Sequence, residues 1–209
     1  MSTPVTTYEI AADELCSLGM RPWLMTGYLV EWFQLHFSRA QCIENPKLRS
    51  RLWNAAFQQS EIQVESATRY KTTDPLRRPA IVVRRDDVKN QRMGIDDRLQ
   101  GDLDLHGNDH YATMVLGSHT LFCLSPTALE AEYLGMEVAR ELLHFGPLIR
   151  KTLDLKQFLW GGVGRIGVVE EQKQAFAVPV PVGYAYEENW EIVQHAPVLE
   201  NIVLSKFLR

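Results

Sequence analysis

The clearest pattern along the chain is an alternation of large and small residues over positions 176–186. The large apolar side chains on one face belong to Phe176, Val178, Val180, Val182, Tyr184 and Tyr186. A period of two predicts a β-strand with one strongly apolar face. Pro179 and Pro181 lie on the other face and have no backbone N–H to donate. Because N–H groups alternate sides along a strand, one lateral side lacks two donors, so it is an edge or meets a neighbour that needs only its carbonyls.

An aromatic helix is predicted over residues 24–37, where apolar side chains recur at a spacing of three or four. Its aromatic residues include Tyr28 and Trp32. We interpret this segment as an amphipathic helix that packs on the core. The breadth of its aromatic surface supports a second interpretation, in which it also contacts another subunit. A further helix is predicted to begin at Asn45-Pro46, since proline is tolerated in a first helical turn.

A second long helix is predicted over residues 125–145. It opens with Ser125-Pro126, a typical N-cap and first helical position, and Gly146-Pro147 predicts its end. The apolar stripe that is expected to face the sheet comprises Ala131, Leu134, Val138, Leu142 and Phe145.

The strand-like segments cover residues 61–70, 79–83, 110–124, 163–171, 175–186 and 190–195. Together with the helices they indicate an α+β fold, in which a mainly antiparallel β-sheet packs against flanking α-helices. The predicted domain division is a helical N-terminal extension at residues 1–60 and an α+β domain at residues 61–209.

A long charged stretch separates the strands predicted at 79–83 and 110–124. Residues 84–109 carry five Arg or Lys against seven Asp. Connections longer than about 12–15 residues inside compact domains are uncommon, and they are usually functional or disordered. The stretch is therefore either a solvated loop or a hairpin arm that reaches a neighbouring subunit, where its mixed charge would set register and partner choice.

The composition narrows the class of protein. A chain of 209 residues with 45% hydrophobic and 23% charged residues suits one globular domain, or one domain with an extension. A net charge of −4 argues against a nucleic-acid clamp. Cys16, Cys42 and Cys123 form no CxxC pair, which favours free thiols in a reducing compartment. The sequence shows no signal peptide and no apolar run of bilayer length, so we expect a soluble protein made in the cytosol.

A glycine motif at residues 162–167 matches the GxGxxG fingerprint of dinucleotide-binding proteins. Glu187 lies near the offset at which that motif's ribose-binding acid is found. The fingerprint requires a helix after the glycines, because the helix N-terminus holds the pyrophosphate, whereas the sequence here predicts a strand and a hairpin. We therefore expect a tight turn with close backbone packing and no cofactor.

A group of potential metal ligands lies in the charged stretch: Asp102, Asp104, His106, Asp109 and His110. Such side chains can hold a divalent ion that activates water. They lack the regular spacing that would fix ligand geometry, and no nucleophile or acid–base pair accompanies them. We therefore expect no catalytic site and no metal site.

The C-terminal half resembles a known family. Residues 110–124, the helix sequence SPTALEAEYLGMEVARELL and the segment RIGVVEEQKQAFAVPVPVGYAYEENWEI resemble the tail terminator and neck proteins of tailed bacteriophages. The positions that carry the likeness are Ala131, Glu132, Leu134, Ile166-Gly167, Glu170-Glu171, residues 176–186 and Trp190-Glu191.

The resemblance implies a β-sheet flanked by helices and assembly into a ring, usually hexameric, at the end of the tail tube. The implied partners are further copies of the chain, the tail tube protein and a head-side connector or stopper protein, with DNA passing through the lumen without sequence-specific binding. The implied role is structural, in the virion neck, after synthesis in the host cytoplasm and with no membrane. The candidate residues for contacts between subunits are Tyr28, Trp32, Arg84, Arg85, Asp86, Asp87, Arg92, Asp96, Asp97, Arg98, Pro179 and Pro181.

Three alternatives stay open from the sequence. The chain could form another neck ring, such as a stopper or adaptor. It could be a metal-dependent hydrolase, with Asp102, His106, Asp109 and His110 as the metal-binding group. It could also be a host-derived binding module that works as a small oligomer.

Overall fold

A computed structural model of the chain describes residues 21–71, 78–92, 98–103, 109–169 and 175–192. Within these ranges the chain forms two α-helices, a short 3-10 helix at Phe57–Gln59 and seven β-strands. The helices are α1 (Pro22–Phe37) and α2 (Ala128–Thr152), and the strands are β1 (Gln63–Ser66), β2 (Ala80–Arg92), β3 (Arg98–Leu103), β4 (Asp109–Ser125), β5 (Gln157–Trp160), β6 (Gly167–Val168) and β7 (Phe176–Ile192).

The strands form one mixed sheet. Its main order is β1-β2-β4-β7-β5, with β3 paired to β4 and β6 paired to β7. β1 runs parallel to β2, whereas the pairs β3–β4, β5–β7 and β6–β7 are antiparallel. Hydrogen bonds join Thr113 to Gln91 and Thr120 to Asp86, so β2 and β4 also run in opposite directions. The predicted α+β fold with a mainly antiparallel sheet is confirmed.

The core lies on the sheet face that carries the large residues of β7. Val178, Val180 and Val182 are buried there, as the alternation predicts. The stripe predicted for α2 is also buried, except for Phe145, which is partly exposed. A Cβ added to Gly135 of α2 would lie 2.6 Å from Cγ1 of Val178, so a glycine is needed where this helix approaches the strand.

Helix α1 contributes a complete face to this core. Met25, Leu29, Phe33 and Phe37 are fully buried at a spacing of four, which places them on one side of the helix. Gln34 of the same helix donates its side-chain amide to the carbonyl of Val64 in β1 at 3.0 Å. The helix is therefore held to the sheet by apolar packing and by a direct hydrogen bond.

The chain divides by its contacts into two compact units. One comprises residues 1–89 and 116–186, and the other comprises residues 90–115 and 187–209. Within the second unit, Arg98 pairs with Tyr111 and Leu103 pairs with Asp109 along β3 and β4. The division predicted between residues 60 and 61 stays a prediction, although it does not coincide with either boundary of these units.

Two helix boundaries differ from those predicted. The helix predicted to begin at Asn45-Pro46 does not form, and turns there lead to the 3-10 helix. Backbone N–H groups there bond elsewhere, such as Trp53 to the carbonyl of Phe37 at 2.9 Å, so contacts with other elements override the local helical pattern. Helix α2 continues through Pro147 to Thr152, because the fully buried Ile149 anchors its last turns.

Two predicted strands also change. In the segment predicted at 163–171, the described residues 163–169 contain only the two-residue strand β6, because 161–166 adopt no regular structure, and residues 170 and 171 lie outside the described chain. The segments predicted at 175–186 and 190–195 join in one strand, β7, which runs without interruption to Ile192. Residues 193–195 lie outside the described chain.

The proline side of β7 is not a free edge, because β7 lies between β4 and β5 in the sheet. The N–H of Gly161 donates to the carbonyl of Pro181 at 2.7 Å, and the N–H of Gly164 donates to the carbonyl of Pro179 at 2.7 Å. Of the two alternatives given for this side of β7, an edge of the sheet is therefore wrong. The second expectation is confirmed, since this neighbour needs only the proline carbonyls.

None of the helices in the described ranges combines the length and the apolar character that crossing a bilayer requires.

Candidate functional site

A buried ionic cluster joins α1 to α2. His36 lies between two carboxylates of α2, with its Nε2 3.2 Å from Oε1 of Glu137 and its Nδ1 3.2 Å from Oε2 of Glu141. Glu137 also accepts the backbone N–H groups of Glu44 at 3.0 Å and Asn45 at 3.2 Å. His36, Glu137 and Glu141 are all buried, so these bonds form away from bulk water.

Arg140 and Trp32 complete this cluster. Arg140 binds Oε1 of Glu137 at 2.7 Å and also pairs with Glu44. The indole Nε1 of Trp32 donates to Oε1 of Glu141 at 3.1 Å. Because each of these side chains is bonded to another member of the cluster, the cluster fastens two helices together and presents no open position for a substrate.

Both central members of the cluster are charged at neutral pH. Burial alone would lower the pKa of His36, but hydrogen bonds and attraction from Glu137 and Glu141 raise it to about 9. Burial alone would raise the pKa of Glu137, but the hydrogen bonds from His36, Glu44 and Asn45 hold it below its usual value. An imidazolium and a carboxylate therefore face each other in the interior.

A second site is an open groove of about 690 Å³ between α1, the carboxyl end of β1 and β2. Its volume falls in the range of about 300–1,000 Å³ that is typical of ligand sites. The surface is named here the arginine groove, and its charged and aromatic lining consists of Trp23, Glu31, Glu65, Arg69, Arg84 and Arg85. More than half of Trp23 is exposed, which is unusual for a tryptophan and typical of a contact residue.

The three arginines of the groove differ in what they bind. Arg84 donates to Oδ1 of Asp86 at 3.0 Å, and its guanidinium lies 4.6 Å from the centre of the Phe122 ring. Arg69 and Arg85 are exposed and form no ion pair with any residue in the described ranges. Two guanidinium groups of the groove are thus available to a binding partner.

A neutral histidine lies beside the groove. Nε2 of His119 is 2.7 Å from the hydroxyl of Thr26, which lines the groove. Burial lowers the pKa of His119 to about 4, so its ring is uncharged at neutral pH. Tyr184 lies next to it, with ring centres 5.5 Å apart, and burial raises the pKa of that phenol to about 12. These two groups are uncharged packing elements and add no charge to the groove.

The exposed apolar side chains of the described chain include a row on α2 and a scattered set along the margin of the sheet. The first, named the helix stripe, consists of Leu129, Met136 and Leu143, which recur every seven residues on α2 and are each more than half exposed. A spacing of seven puts them on one side of the helix. The second, named the sheet-edge group, consists of Leu159 in β5 and Ile166 and Val168 in and before β6. Leu159 pairs with Gly183 and Val168 pairs with Phe176, seven residues away along β7 and on its opposite face, so the group does not form one continuous surface.

The predicted contact residues on α1 are engaged within the chain. The rings of Tyr28 and Trp32 lie 5.8 Å apart, and Trp32 lies 5.5 Å from the ring of Phe145. Both are partly buried. These contacts do not test whether Tyr28 and Trp32 also touch another subunit, so that role stays a prediction.

The predicted contact residues of the charged stretch fall into two groups. Arg84 and Arg85 line the arginine groove, while Asp86 accepts a hydrogen bond from Thr120 and the carbonyl of Asp87 accepts one from Ser118. For Arg92 and Arg98 only the strand position is described, and Asp96 and Asp97 lie outside the described residues. Sequence reasoning did not identify Arg69, His36 or Glu137, whose roles depend on contacts between distant segments.

The GxGxxG segment packs against the prolines of β7. Gly162 has a φ of +93°, which favours glycine, and a Cβ added to Gly164 would lie 2.6 Å from Cγ of Pro179 and 3.0 Å from its carbonyl oxygen. No helix follows these glycines in the described chain, which runs from them into β6. The expected close backbone packing is confirmed, whereas the expected tight turn is not observed, because residues 161–166 run along β7 without a turn.

We expect Gly164→Ala to lower the free energy of unfolding by about 1–3 kcal/mol, because the added methyl group overlaps Pro179 and its backbone carbonyl. Chemical denaturation of the full chain measures this loss. The matched control is Gly167→Ala, where no atom lies within 4 Å of an added Cβ. Equal stability of the two variants would contradict close packing at Gly164.

The candidate metal ligands cannot be placed, since the side chains of Asp102, Asp109 and His110 and the whole of Asp104 and His106 lie outside the described part of the structure. Among the described residues, no group of three or more His, Cys, Asp or Glu side chains is arranged to hold a metal ion. Cys123 is buried, and burial raises the pKa of its thiol, so it is not a ready nucleophile.

A scan against models of known protein families gives no match for this chain, and a search of curated proteins gives none either.

Proposed function

We propose that this protein is a structural subunit that assembles with further copies of itself into a closed ring, and that the ring is the tail terminator of a phage neck. The observation that supports this assembly is the helix stripe, a row of exposed apolar residues on one side of α2. In a cyclic assembly larger than a dimer, one surface of each subunit meets a different surface of the next. In the proposed ring the helix stripe is one of these two surfaces.

The position in the neck rests on the resemblance of residues 110–191 to tail terminator and neck proteins. The α+β architecture that this resemblance implies is the one observed, with a sheet covered by α1 and α2. The buried ionic cluster supports a structural role, because it fastens two helices and exposes no acid or base to a substrate. The proposed partners are the tail tube protein and a head-side connector or stopper protein.

The proposed ring is tested with a substitution in the helix stripe. We expect the wild-type chain to form a closed ring, of six copies if it follows the family, and Met136→Lys to shift it to monomers, because the lysine would place a charge in an apolar contact. Mass photometry and negative-stain images measure both states. The matched control is His144→Lys, an exposed position on the same helix outside the stripe, which should leave the ring intact.

The outcomes of this experiment separate the parts of the proposal. A wild-type chain that stays monomeric at high concentration overturns the ring. A ring that survives Met136→Lys overturns the assignment of the helix stripe as a contact surface. Addition of the ring to tail tubes tests the neck position, since a terminator is expected at one end of each tube, and a ring that ignores the tubes would favour a stopper or adaptor.

A further inference from the structure

Helix α1 exposes a face that is almost free of charge. The surface named here the outer α1 face lies away from the buried side of the helix and consists of Trp23, Leu24, Gly27, Glu31 and Leu35. Trp23 is 63% exposed and Leu35 is 57% exposed, and Glu31 is the one charged residue of this face. Large apolar side chains that stay exposed in a row along a helix are typical of a surface that a partner covers.

Gly27 lies at the centre of the outer α1 face. A Cβ added there would meet no atom within 4 Å, so packing within the described chain does not require a glycine. Glycine weakens a helix relative to alanine, because it loses more conformational freedom on folding. The glycines of α2 differ, since a Cβ at Gly135 would overlap Val178 and one at Gly146 would touch Phe158. Gly27 therefore suits a helix face that another chain approaches closely.

The helix stripe of α2 fits this face in length and in shape. At 1.5 Å per residue, the outer α1 face spans about 16 Å from Leu24 to Leu35, and the stripe spans about 21 Å from Leu129 to Leu143. The central residue of the stripe is Met136, whose flexible apolar side chain can fill the space that a glycine leaves. Both helices belong to the same compact unit, so every copy carries both surfaces.

We propose that the outer α1 face of one copy binds the helix stripe of the next copy, with Met136 seated over Gly27. This inference rests on the proposed function and supplies the second of the two unlike surfaces that the ring needs. A second helix stripe cannot take the place of the outer α1 face, because a contact between two identical surfaces closes at two copies.

Charge disfavours an antiparallel arrangement of the two helices. Glu31 lies four residues after Gly27, and Glu132 lies four residues before Met136. With Met136 over Gly27, antiparallel helices would therefore bring these two carboxylates opposite each other. Both side chains are exposed, and neither pairs with a cation among the described residues. Like charges that face each other across a contact weaken it.

A parallel arrangement removes this repulsion. It places Glu31 opposite Arg140, which lies four residues beyond the centre of the contact and keeps part of its side chain exposed beside its bonds within the ionic cluster. It also brings Leu35 next to Leu143, since these residues lie eight and seven residues beyond the centre. The two helices therefore run in the same direction across the contact.

A substitution at Gly27 tests the contact in the full chain. Gly27→Leu adds a side chain that the single chain can hold, because the space above Gly27 is open, but the new side chain would exclude Met136 of the next copy. We expect the concentration at which half of the ring dissociates to rise at least about tenfold, as measured by mass photometry. The melting temperature of the dissociated chain, measured by circular dichroism, should not fall.

The matched control is Gly167→Leu. A Cβ added at Gly167 also meets no atom within 4 Å, and this position lies outside both proposed surfaces, so the ring should be unchanged. A Gly27→Leu chain with a lowered melting temperature and an unchanged mass would show that the outer α1 face is covered within its own chain. That result overturns the inference.

Cross-linking tests which surface is the partner. The starting chain carries Cys16→Ser and Cys42→Ser and keeps the buried Cys123. One variant of it adds Leu35→Cys and another adds Leu143→Cys. A short bis-maleimide should link the two variants when they are mixed, and it should not link either variant to itself, because the proposed contact joins unlike surfaces.

Two other cross-links would contradict the proposal. A link within the Leu35→Cys variant alone would show a contact between two α1 helices and overturn the inference. A link from Leu35→Cys to Leu129→Cys, with none to Leu143→Cys, would show antiparallel helices and overturn the proposed direction.

The outcomes also separate the inference from the proposed function. A wild-type ring that is insensitive to Gly27→Leu and gives no cross-link in the mixture overturns the inference and leaves the ring standing. An open chain of copies that gives the expected cross-link and that Gly27→Leu dissociates supports the inference and overturns the closed ring. A strictly monomeric wild type overturns both.

Discussion

Replacement of Glu137 by leucine is expected to lower the free energy of unfolding by about 3–5 kcal/mol. Glu137 is buried and accepts the N–H groups of Glu44 and Asn45 as well as the charge of His36. Leucine fills a similar volume, so little of the loss will come from packing. The loss has two causes. The buried imidazolium of His36 keeps only one of its two carboxylates, that of Glu141, and the backbone N–H groups of Glu44 and Asn45 lose their acceptor.

Chemical denaturation of the full chain at neutral pH measures this effect. The matched control is Glu132→Leu, which makes the same change at an exposed position of α2 and should alter stability by no more than about 0.5 kcal/mol. Glu137→Gln should fall between the two, since it keeps an acceptor and removes the charge. Equal stability of Glu137→Leu and wild type would show that the ionic cluster contributes nothing to the free energy of unfolding.

The same cluster sets how stability changes with pH. The pKa of His36 is raised from 6.5 to about 9, so its contribution is complete below pH 6.5 and is lost as the pH rises toward 9. The pKa of Glu137 is lowered from 4.5, so its contribution is complete above pH 4.5 and is lost as the pH falls. Wild-type stability should therefore decline on both sides of this window, and Glu137→Leu should flatten the alkaline side because His36 loses a main partner.

Phe33→Ala is expected to lower the free energy of unfolding by about 3–5 kcal/mol. Phe33 is fully buried on the face of α1 that meets the core, and alanine would leave a cavity there. The matched control is Leu35→Ala, two residues along the same helix, where the side chain is more than half exposed and the cost should stay within about 0.5 kcal/mol.

A single cooperative transition that shifts with Phe33→Ala, followed by both tryptophan fluorescence and circular dichroism, would show that α1 folds together with the sheet. A small loss confined to one of these signals would instead favour an N-terminal extension that folds by itself. Phe33→Ala in α1 and Glu137→Leu in α2 thus test independently how much each of these two helices contributes to stability.

Local patterns predicted the parts of the fold that depend on neighbouring residues. The alternation at 176–186 correctly predicted which face of β7 is buried, and the spacing of Leu134, Val138 and Leu142 correctly predicted the buried face of α2. Local sequence signals were misleading where contacts with distant residues favoured a different structure. Pro147 is a strong helix stop by itself, but the buried Ile149 holds two further turns in place.

The candidate sites were harder to predict, because their members are far apart in the sequence. His36 and Glu137 are 101 residues apart, and neither has a local pattern that marks it as half of a pair. The arginine groove is lined by residues of α1, by the turn that follows β1, and by residues of β2. Of these residues, only Arg84 and Arg85 were named as candidates from the sequence. Arg69 lay in a segment predicted as a strand, with nothing to distinguish it from other surface arginines.

The two prolines of β7 reduce the number of main-chain hydrogen bonds that hold the neighbouring segment to this strand. A full ladder would join β7 to its neighbour at every second residue, whereas at this stretch two N–H groups, from Gly161 and Gly164, reach the carbonyls of Pro181 and Pro179. Under a pulling force, bonds loaded one after another break at lower force than a ladder loaded together. A force that loads these two bonds in turn would therefore separate the segment 161–164 from β7 more easily than a full ladder of the same length.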